Sequence, residues 1–211
     1  MKKLILLLLF IPLVSCDSTE TKENVYSFGE DTWIINYGDD IDITRDSDLD
    51  GIQFIELKDG KVVIELYKDD APNHVERIKE LASEGKYDGV VFHRVIDGFM
   101  AQTGDVKFGN SSNEDYNLSM AGTGGSELPD LKEEFNELPH ERGTLSMARS
   151  QDPNSANSQF FICFKAAAFL DRQYTVFGKV IEGMEFVDKI KRGDENNNGS
   201  VSDPDKIISF K

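Results

Sequence analysis

Four sets of residues in this chain have side chains suited to chemistry, and their spacing separates them. His74, His93 and His140 lie in no Ser- or Cys-containing nucleophile motif, so a hydrolase lacks its paired base and nucleophile. Gly122-Thr123-Gly124-Gly125 has the glycine content of a phosphate cradle but lacks a following Lys-Ser/Thr and helix. Asp194, Asn196 and Asn198 stand at positions 1, 3 and 5 of a loop with Gly199 at 6, Ser200 at 7, an apolar Val201 at 8 and Asp205 at 12. That pattern fits a structural calcium loop with a short-reaching twelfth ligand; it also fits a solvated Asn/Asp/Gly turn. Asp46-Ser47-Asp48-Leu49-Asp50-Gly51 begins the same way, yet its twelfth position falls on Leu57. The fourth set is Arg94 among Val91, Phe92 and Val95, followed by Phe99, Met100 and Gln102, with Gln159, Phe161 and Phe169 further on. Taken singly, these read as an exposed arginine on an alternating strand, surface amides and core aromatics.

The elements that must hold these residues are short. Gln53–Leu57 and Lys61–Tyr67 flank Asp59-Gly60 and predict a β-hairpin. Asp70 as cap, Pro72 in the first turn, then Val75, Ile78, Leu81 and Ala82, predict a helix closing near Gly85. Strands are expected at 90–96, 98–102, 144–148, 159–164, 175–180 and 207–210, with a second helix over 184–190. Many short strands, two helices and no β-α-β alternation suggest a mainly β fold, a closed antiparallel barrel capped by helices.

The composition narrows the partners. Lys and Arg number 23 against 39 Asp and Glu, a net charge of -16, which argues against a protein that neutralises nucleic-acid phosphates. Two cysteines exclude a disulfide scaffold, and Cys163, in Phe160–Phe164, reads as a buried inert thiol. Lys2, Lys3 and the apolar run Leu4–Val14 form a leader too short to span a bilayer. It ends in Leu13-Val14-Ser15-Cys16, which resembles the bacterial lipobox and implies cleavage, lipidation of Cys16 and anchoring in the cell envelope; ordinary secretion beside a chance cysteine is the alternative. Removing residues 1–15 takes away two lysines and no acid, so the net charge becomes -18. Eleven acids against two bases lie between Asp17 and Gly51, and residues 16–51 read as an acidic tether with a short extension ahead of a domain at 52–211.

Seven segments occur in order along that domain: Phe92-His93-Arg94, Gly98–Asp105, Gly122–Gly125, Gly143–Arg149, Ser158–Ile162, Phe169-Leu170-Asp171 and Val176-Phe177-Gly178. Together they resemble the cyclophilin family of peptidyl-prolyl cis/trans isomerases. The resemblance implies a closed eight-stranded antiparallel barrel capped by two helices, with a groove along one face and proline-containing polypeptides as partners. It implies Arg94 as the guanidinium that meets the prolyl nitrogen, and Phe99, Met100, Phe161 and Leu170 as pocket walls. Gln102 is implied beside the rotating carbonyl and as an orienter of Arg94. Ala148, Arg149 and Gln159 are implied contacts to the peptide. No cofactor is required, because rotation about an X–Pro bond makes and breaks no covalent bond. Two positions depart from the eukaryotic pattern, Phe169 for Trp and Tyr174 for His. The first removes an indole donor, so weak cyclosporin binding is expected. Val106–Ala121 is longer than the family usual and reads either as a modifier of substrate fit or as a solvated insertion. A catalytically weak proline-peptide-binding or chaperone module is the alternative function.

Overall fold

The computed structural model describes residues 23–28, 31–36 and 51–211. The leader, Cys16 and the Asp46–Asp50 run therefore lie outside the described residues. The chain divides into two units. In the first, the backbones of β1 (Glu23–Phe28) and β2 (Asp31–Asn36) pair antiparallel.

The second unit is built on one eight-stranded antiparallel sheet. Its strands are β3 (Ile52–Leu57), β4 (Gly60–Leu66), β5 (Arg94–Ile96), β6 (Met100–Thr103), β7 (Thr144–Met147), β8 (Phe160–Cys163), β9 (Val176–Glu182) and β10 (Ser209–Phe210), in the order β10-β3-β4-β9-β7-β8-β6-β5. The Asp59-Gly60 turn closes β3 on β4, with Leu57 opposite Gly60. Register shifts at Val63/Ile64 and Leu145/Ser146 add the local twist that curls the sheet.

The sheet curls but stays open, where a closed barrel was expected. Its outer strands β5 and β10 share no ladder. Both are too short to meet: β5 ends after three residues at the Asp97-Gly98 turn, and β10 is two residues long. Pro204, which has no N–H to donate, lies five residues ahead of β10. Flanking segments stitch the seam instead, with Phe92 N–H donating to Asp205 O (2.9 Å) and Ile207 N–H to Val90 O (2.9 Å). Beyond it, the loop 193–201 lies along β5: Val95 N–H donates to Gly199 O, Gly193 N–H to Val95 O and Val201 N–H to His93 O.

Helix α1 (Pro72–Ser83) buries Val75, Ile78, Leu81 and Ala82, and Gly85 takes φ 67 just past its end. Its cap differs from expectation. Ala71 occupies the cap position with no side-chain bond, and Asp70 does not cap. Glu134, some 60 residues on, reaches back to accept the N–H groups of Asn73 and His74, both at 3.1 Å. A carboxylate satisfies the first-turn donors just as a local cap would, but from tertiary structure. The second helix, α2 (Met184–Val187), is one turn, shorter than the 184–190 expected.

Alternation along the strands creates two apolar clusters. Phe160, Ile162 and Phe164 join Tyr87, Phe177 and Phe210 in the main core. Phe161 and Cys163 point the other way and pack with Met100, Ala167 and Leu170. Burial pushes the Cys163 thiol up to about 12, as an inert thiol requires.

Burial holds all three histidines below the ordinary imidazole value, His93 down to about 4 against an opposing pull from Asp105. Above about pH 6.5 neither folded nor unfolded chain carries these protons. Between 6.5 and about 4 the unfolded chain binds a proton that the folded His93 site refuses, so stability falls as pH falls. At about 1.4 kcal/mol per pH unit the His93 share is about 3 kcal/mol. Urea midpoints at pH 7.5, 5.5 and 4.5 should therefore decline, and His93→Gln should flatten the decline. Equal midpoints at all three values would contradict this account.

Candidate active site

The outward row of the sheet assembles the site. Arg94 on β5 is the register partner of Gln102 on β6, and Gln102 that of Phe161 on β8. Because side chains alternate, these three share the face opposite the main core, together with Met100. A cavity of about 260 Å³ opens there, lined by Arg94, Phe99, Met100, Gln102, Ala148, Arg149, Phe161, Phe169, Leu170 and Tyr174. Ten of the eleven groove residues anticipated from sequence line it, Arg94 among them; Gln159 lies one hydrogen bond away and lines the adjoining cavity.

Arg94 is half-buried, and burial lowers its pKa from an ordinary value so high that the guanidinium stays charged. Three bonds aim it. Nη1 donates to Gln102 Oε1 at 3.2 Å, Nε to the Asn198 carbonyl at 3.0 Å and Nη2 to Asn198 Oδ1 at 3.0 Å. Gln102 Nε2 donates to Gln159 Oε1 (3.0 Å), and Gln159 Nε2 to the Gly124 carbonyl (2.7 Å). The arginine is thus held at one end by a relay of amides and at the other by a loop residue. Neither end supplies a counter-charge, which keeps the cation available to a developing lone pair in the cavity.

The rim is aromatic. Phe169, on a single turn at Ala168–Leu170, is 66% exposed and packs on Phe99 at 5.4 Å. Tyr174 meets Phe161 edge-on at 6.0 Å, and its other face carries the Arg149 guanidinium at 4.3 Å. Arg149 donates through Nε and Nη2 to Gln173 O and through Nη1 to Ser150 O and Gln151 O. Its side chain holds the rim; the Ala148 N–H is already given to Gln159 O at 2.9 Å.

The anticipated calcium loop is drawn into this site. Asp194 Oδ1 accepts the Asn196 N–H, and Asn198 takes φ 49 ahead of Gly199 at φ 76. Asn198 offers both of its oxygens to Arg94. Asp205 turns elsewhere, accepting from Lys58 Nζ (2.6 Å) and the Lys191 N–H (2.8 Å). Among the described residues no cluster of three or more His, Cys, Asp or Glu forms a metal site.

Sequence reasoning missed Asn198 as a partner of Arg94, since no local spacing links residues 104 apart. It also missed Asp105. That fully buried carboxylate accepts the N–H groups of Lys107 (3.1 Å) and Phe108 (2.9 Å) at Oδ1, and those of Gly122 (2.7 Å) and Gly124 (2.9 Å) at Oδ2. It thereby fixes both ends of the 106–121 insertion. Insertion residues Val106, Lys107, Phe108, Asn113 and Asp115 line a separate cavity of about 620 Å³ beside the end of α1, and none lines the two cavities around Gln102.

An open antiparallel sheet carrying a guanidinium beside a cavity walled largely by apolar and aromatic side chains has the features of a cyclophilin-type protein. The family model for cyclophilin type peptidyl-prolyl cis-trans isomerases matches residues 52–211, and the chain belongs to that family. A probable peptidyl-prolyl cis-trans isomerase from Brucella suis is 59% identical over 162 residues, covering 77% of this chain and 82% of that protein. A peptidyl-prolyl cis-trans isomerase from Helicobacter pylori is 41% identical over 144 residues, covering 66% and 80%. A Cryptosporidium parvum cyclophilin crystallised in the presence of the dipeptide Ala-Pro superposes with a TM-score of 0.64 at 28% identity, covering 75% of this chain and 96% of that one. A Hirschia baltica cyclophilin gives the same TM-score and identity over 78% and 74%.

Proposed function

We propose that this protein accelerates X–Pro rotation in polypeptides of the cell envelope, with Arg94 as the catalytic residue. One observation carries the reading: the row Arg94–Gln102–Phe161 sets a fixed cation beside an apolar cavity. The X–Pro bond rotates over tens of seconds unaided, because turning it breaks amide resonance. As the bond twists, the prolyl nitrogen regains its lone pair and accepts a hydrogen bond that the planar amide does not. A guanidinium held by Gln102 and Asn198 stabilises the twisted state more than either planar isomer, and that difference is the catalysis. Phe161, Met100 and Leu170 seat the pyrrolidine ring, and the proline dipeptide used with the Cryptosporidium cyclophilin suits such a seat.

No cofactor takes part. In a protease-coupled assay on a proline-containing peptide, turnover should be well above background and unchanged by EDTA. Background rates would favour the binding or chaperone module, and loss in EDTA would restore a metal to the account.

Two further elements belong to this reading. Cys16 carries a lipid after cleavage of the leader, supported by Lys2, Lys3, the apolar run and the small residue before Cys16. In a bacterial host the chain should label with radioactive palmitate and partition into detergent, and Cys16→Ser should abolish both; labelling that survives Cys16→Ser rejects the anchor. Cyclosporin binds weakly, because the exposed Phe169 has no indole N–H to offer. Phe169→Trp should tighten cyclosporin binding in a calorimetric titration, and a nanomolar dissociation constant for the native chain would refute the idea.

A further inference from the structure

A second group of polar side chains lies behind the pocket, and none takes part in the steps above. His140 Nδ1 stands 2.9 Å from Asp171 Oδ1, which also accepts the His140 backbone N–H at 2.8 Å. His140 Nε2 stands 3.0 Å from Ser146 Oγ, and Ser146 Oγ is 3.0 Å from the Thr175 carbonyl oxygen. Ser, His and Asp in this order have the connectivity of a nucleophilic triad. Ser146 is 0% exposed, however, so no substrate reaches it.

The surroundings give the group a different task. The His140 ring lies nearly parallel to Phe161, with centroids 6.2 Å apart and planes at 17°. Ser146 is the register partner of Phe161. Asp171 directly follows Leu170, and Thr175 directly follows Tyr174. One chain of hydrogen bonds, buried at His140, Ser146 and Thr175 and partly exposed at Asp171, therefore abuts or adjoins three walls of the proline pocket.

The protons on this chain can be assigned. The Asp171 carboxylate only accepts, so the ring hydrogen sits on Nδ1. Ser146 has one hydroxyl hydrogen and two acceptors in reach, Nε2 and Thr175 O. Thr175 O already accepts the Met147 N–H at 3.0 Å. With a neutral ring, Ser146 donates to Nε2 and every group has a partner. Burial favours that neutral ring by holding His140 below its ordinary pKa, against the pull of Asp171.

We propose that His140 is a positioning residue of the proline pocket: pinned at both ring nitrogens by Asp171 and Ser146, it sets the place of Phe161 against which the pyrrolidine ring packs. The proposal rests on the isomerase reading above. Loosening the pin weakens the seat of the planar and twisted substrate alike, so it raises KM and leaves kcat nearly unchanged.

The test compares native protein with Asp171→Ala, Asp171→Asn and Ser146→Ala in steady-state isomerisation, each first shown to be folded by its thermal transition. Asp171→Ala and Ser146→Ala should raise KM about fivefold to tenfold with kcat within about twofold, and Asp171→Asn, which keeps an acceptor oxygen, should restore KM to within about threefold of native. Folded variants with native KM, or an equal loss in Asp171→Asn and Asp171→Ala, overturn the proposal. Should the variants fail to fold, nitrogen-15 spectra of the native chain decide. Ring shifts must report hydrogen on Nδ1 alone at pH 7, and saturation with an Ala-Pro peptide must move the His140 ring signals; a hydrogen on Nε2 or unmoved signals overturn it. A native chain with neither turnover nor peptide binding defeats the isomerase reading itself, a result distinct from native turnover with unresponsive variants.

Discussion

Arg94→Ala lowers kcat/KM for a proline-containing peptide by about 10²–10³-fold, the usual loss when one aimed donor to a transition state is removed. The size follows from how the guanidinium is held. Its Nη1 is bonded to Gln102 and its Nε and Nη2 to Asn198, so the cation reaches the prolyl nitrogen already oriented, with no reorganisation during rotation. Arg94→Lys keeps the charge but cannot bridge Gln102 and Asn198, because an ammonium is a point charge on a flexible stem. It should therefore recover only a small part of the loss. Stability should barely change, since Gln102 and Asn198 are open enough to rebond with water. The protease-coupled assay and a thermal melt measure both quantities together. If Arg94→Ala retained activity within about threefold of native, rotation could not depend on this donor.

Asp105→Ala unfolds the protein more readily by about 4 kcal/mol, an estimate from leaving several buried donors without an acceptor at about 1–3 kcal/mol each. Four backbone N–H groups converge on this carboxylate, two on each oxygen. Asp105→Asn should rescue little. Its amide nitrogen would face either the Lys107 and Phe108 donors or those of Gly122 and Gly124, and a donor cannot accept. The loss also reaches the chemistry. The Gly124 carbonyl ends the relay through Gln159 and Gln102 to Arg94, so the variant that remains folded should turn over more slowly than native. Urea unfolding, with activity measured well below the transition, separates the two effects. A stability loss under about 1 kcal/mol would mean that water takes the place of the carboxylate.

What could be read in the chain and what could not divide along a physical line. The hairpin at Asp59-Gly60, α1 and the strand around Phe160–Cys163 were legible, because period, turn chemistry and a short apolar run are local properties; which face each of its residues takes was not. The groove was legible through its motifs, and nearly all its members meet at one cavity. Contacts between distant segments were not. Glu134 caps α1 in place of Asp70, and Asn198 grips Arg94 from a loop whose alternating oxygens also fit a cation site. Side-chain oxygens two residues apart serve a tight turn as readily as a metal, and composition alone does not separate the two uses. The open seam was hidden for a related reason. Strand propensity over 90–96 and 207–210 says nothing of partners: around residues 90–92 the chain meets 205–207 only through an isolated bridge, and ladders form only at 94–96 and 209–210.

The loop that lies along β5 has a consequence for any protein that handles unfolded chains. An uncovered outer strand invites an extended polypeptide to pair with it, and repeated pairing of that kind begins aggregation. Here the outward N–H and C=O of Val95 and the carbonyl of His93 are already taken by Gly199, Gly193 and Val201. On the proposed reading, an extended client finds no strand template beside the arginine and is held only within the groove, so it can leave once the bond has turned.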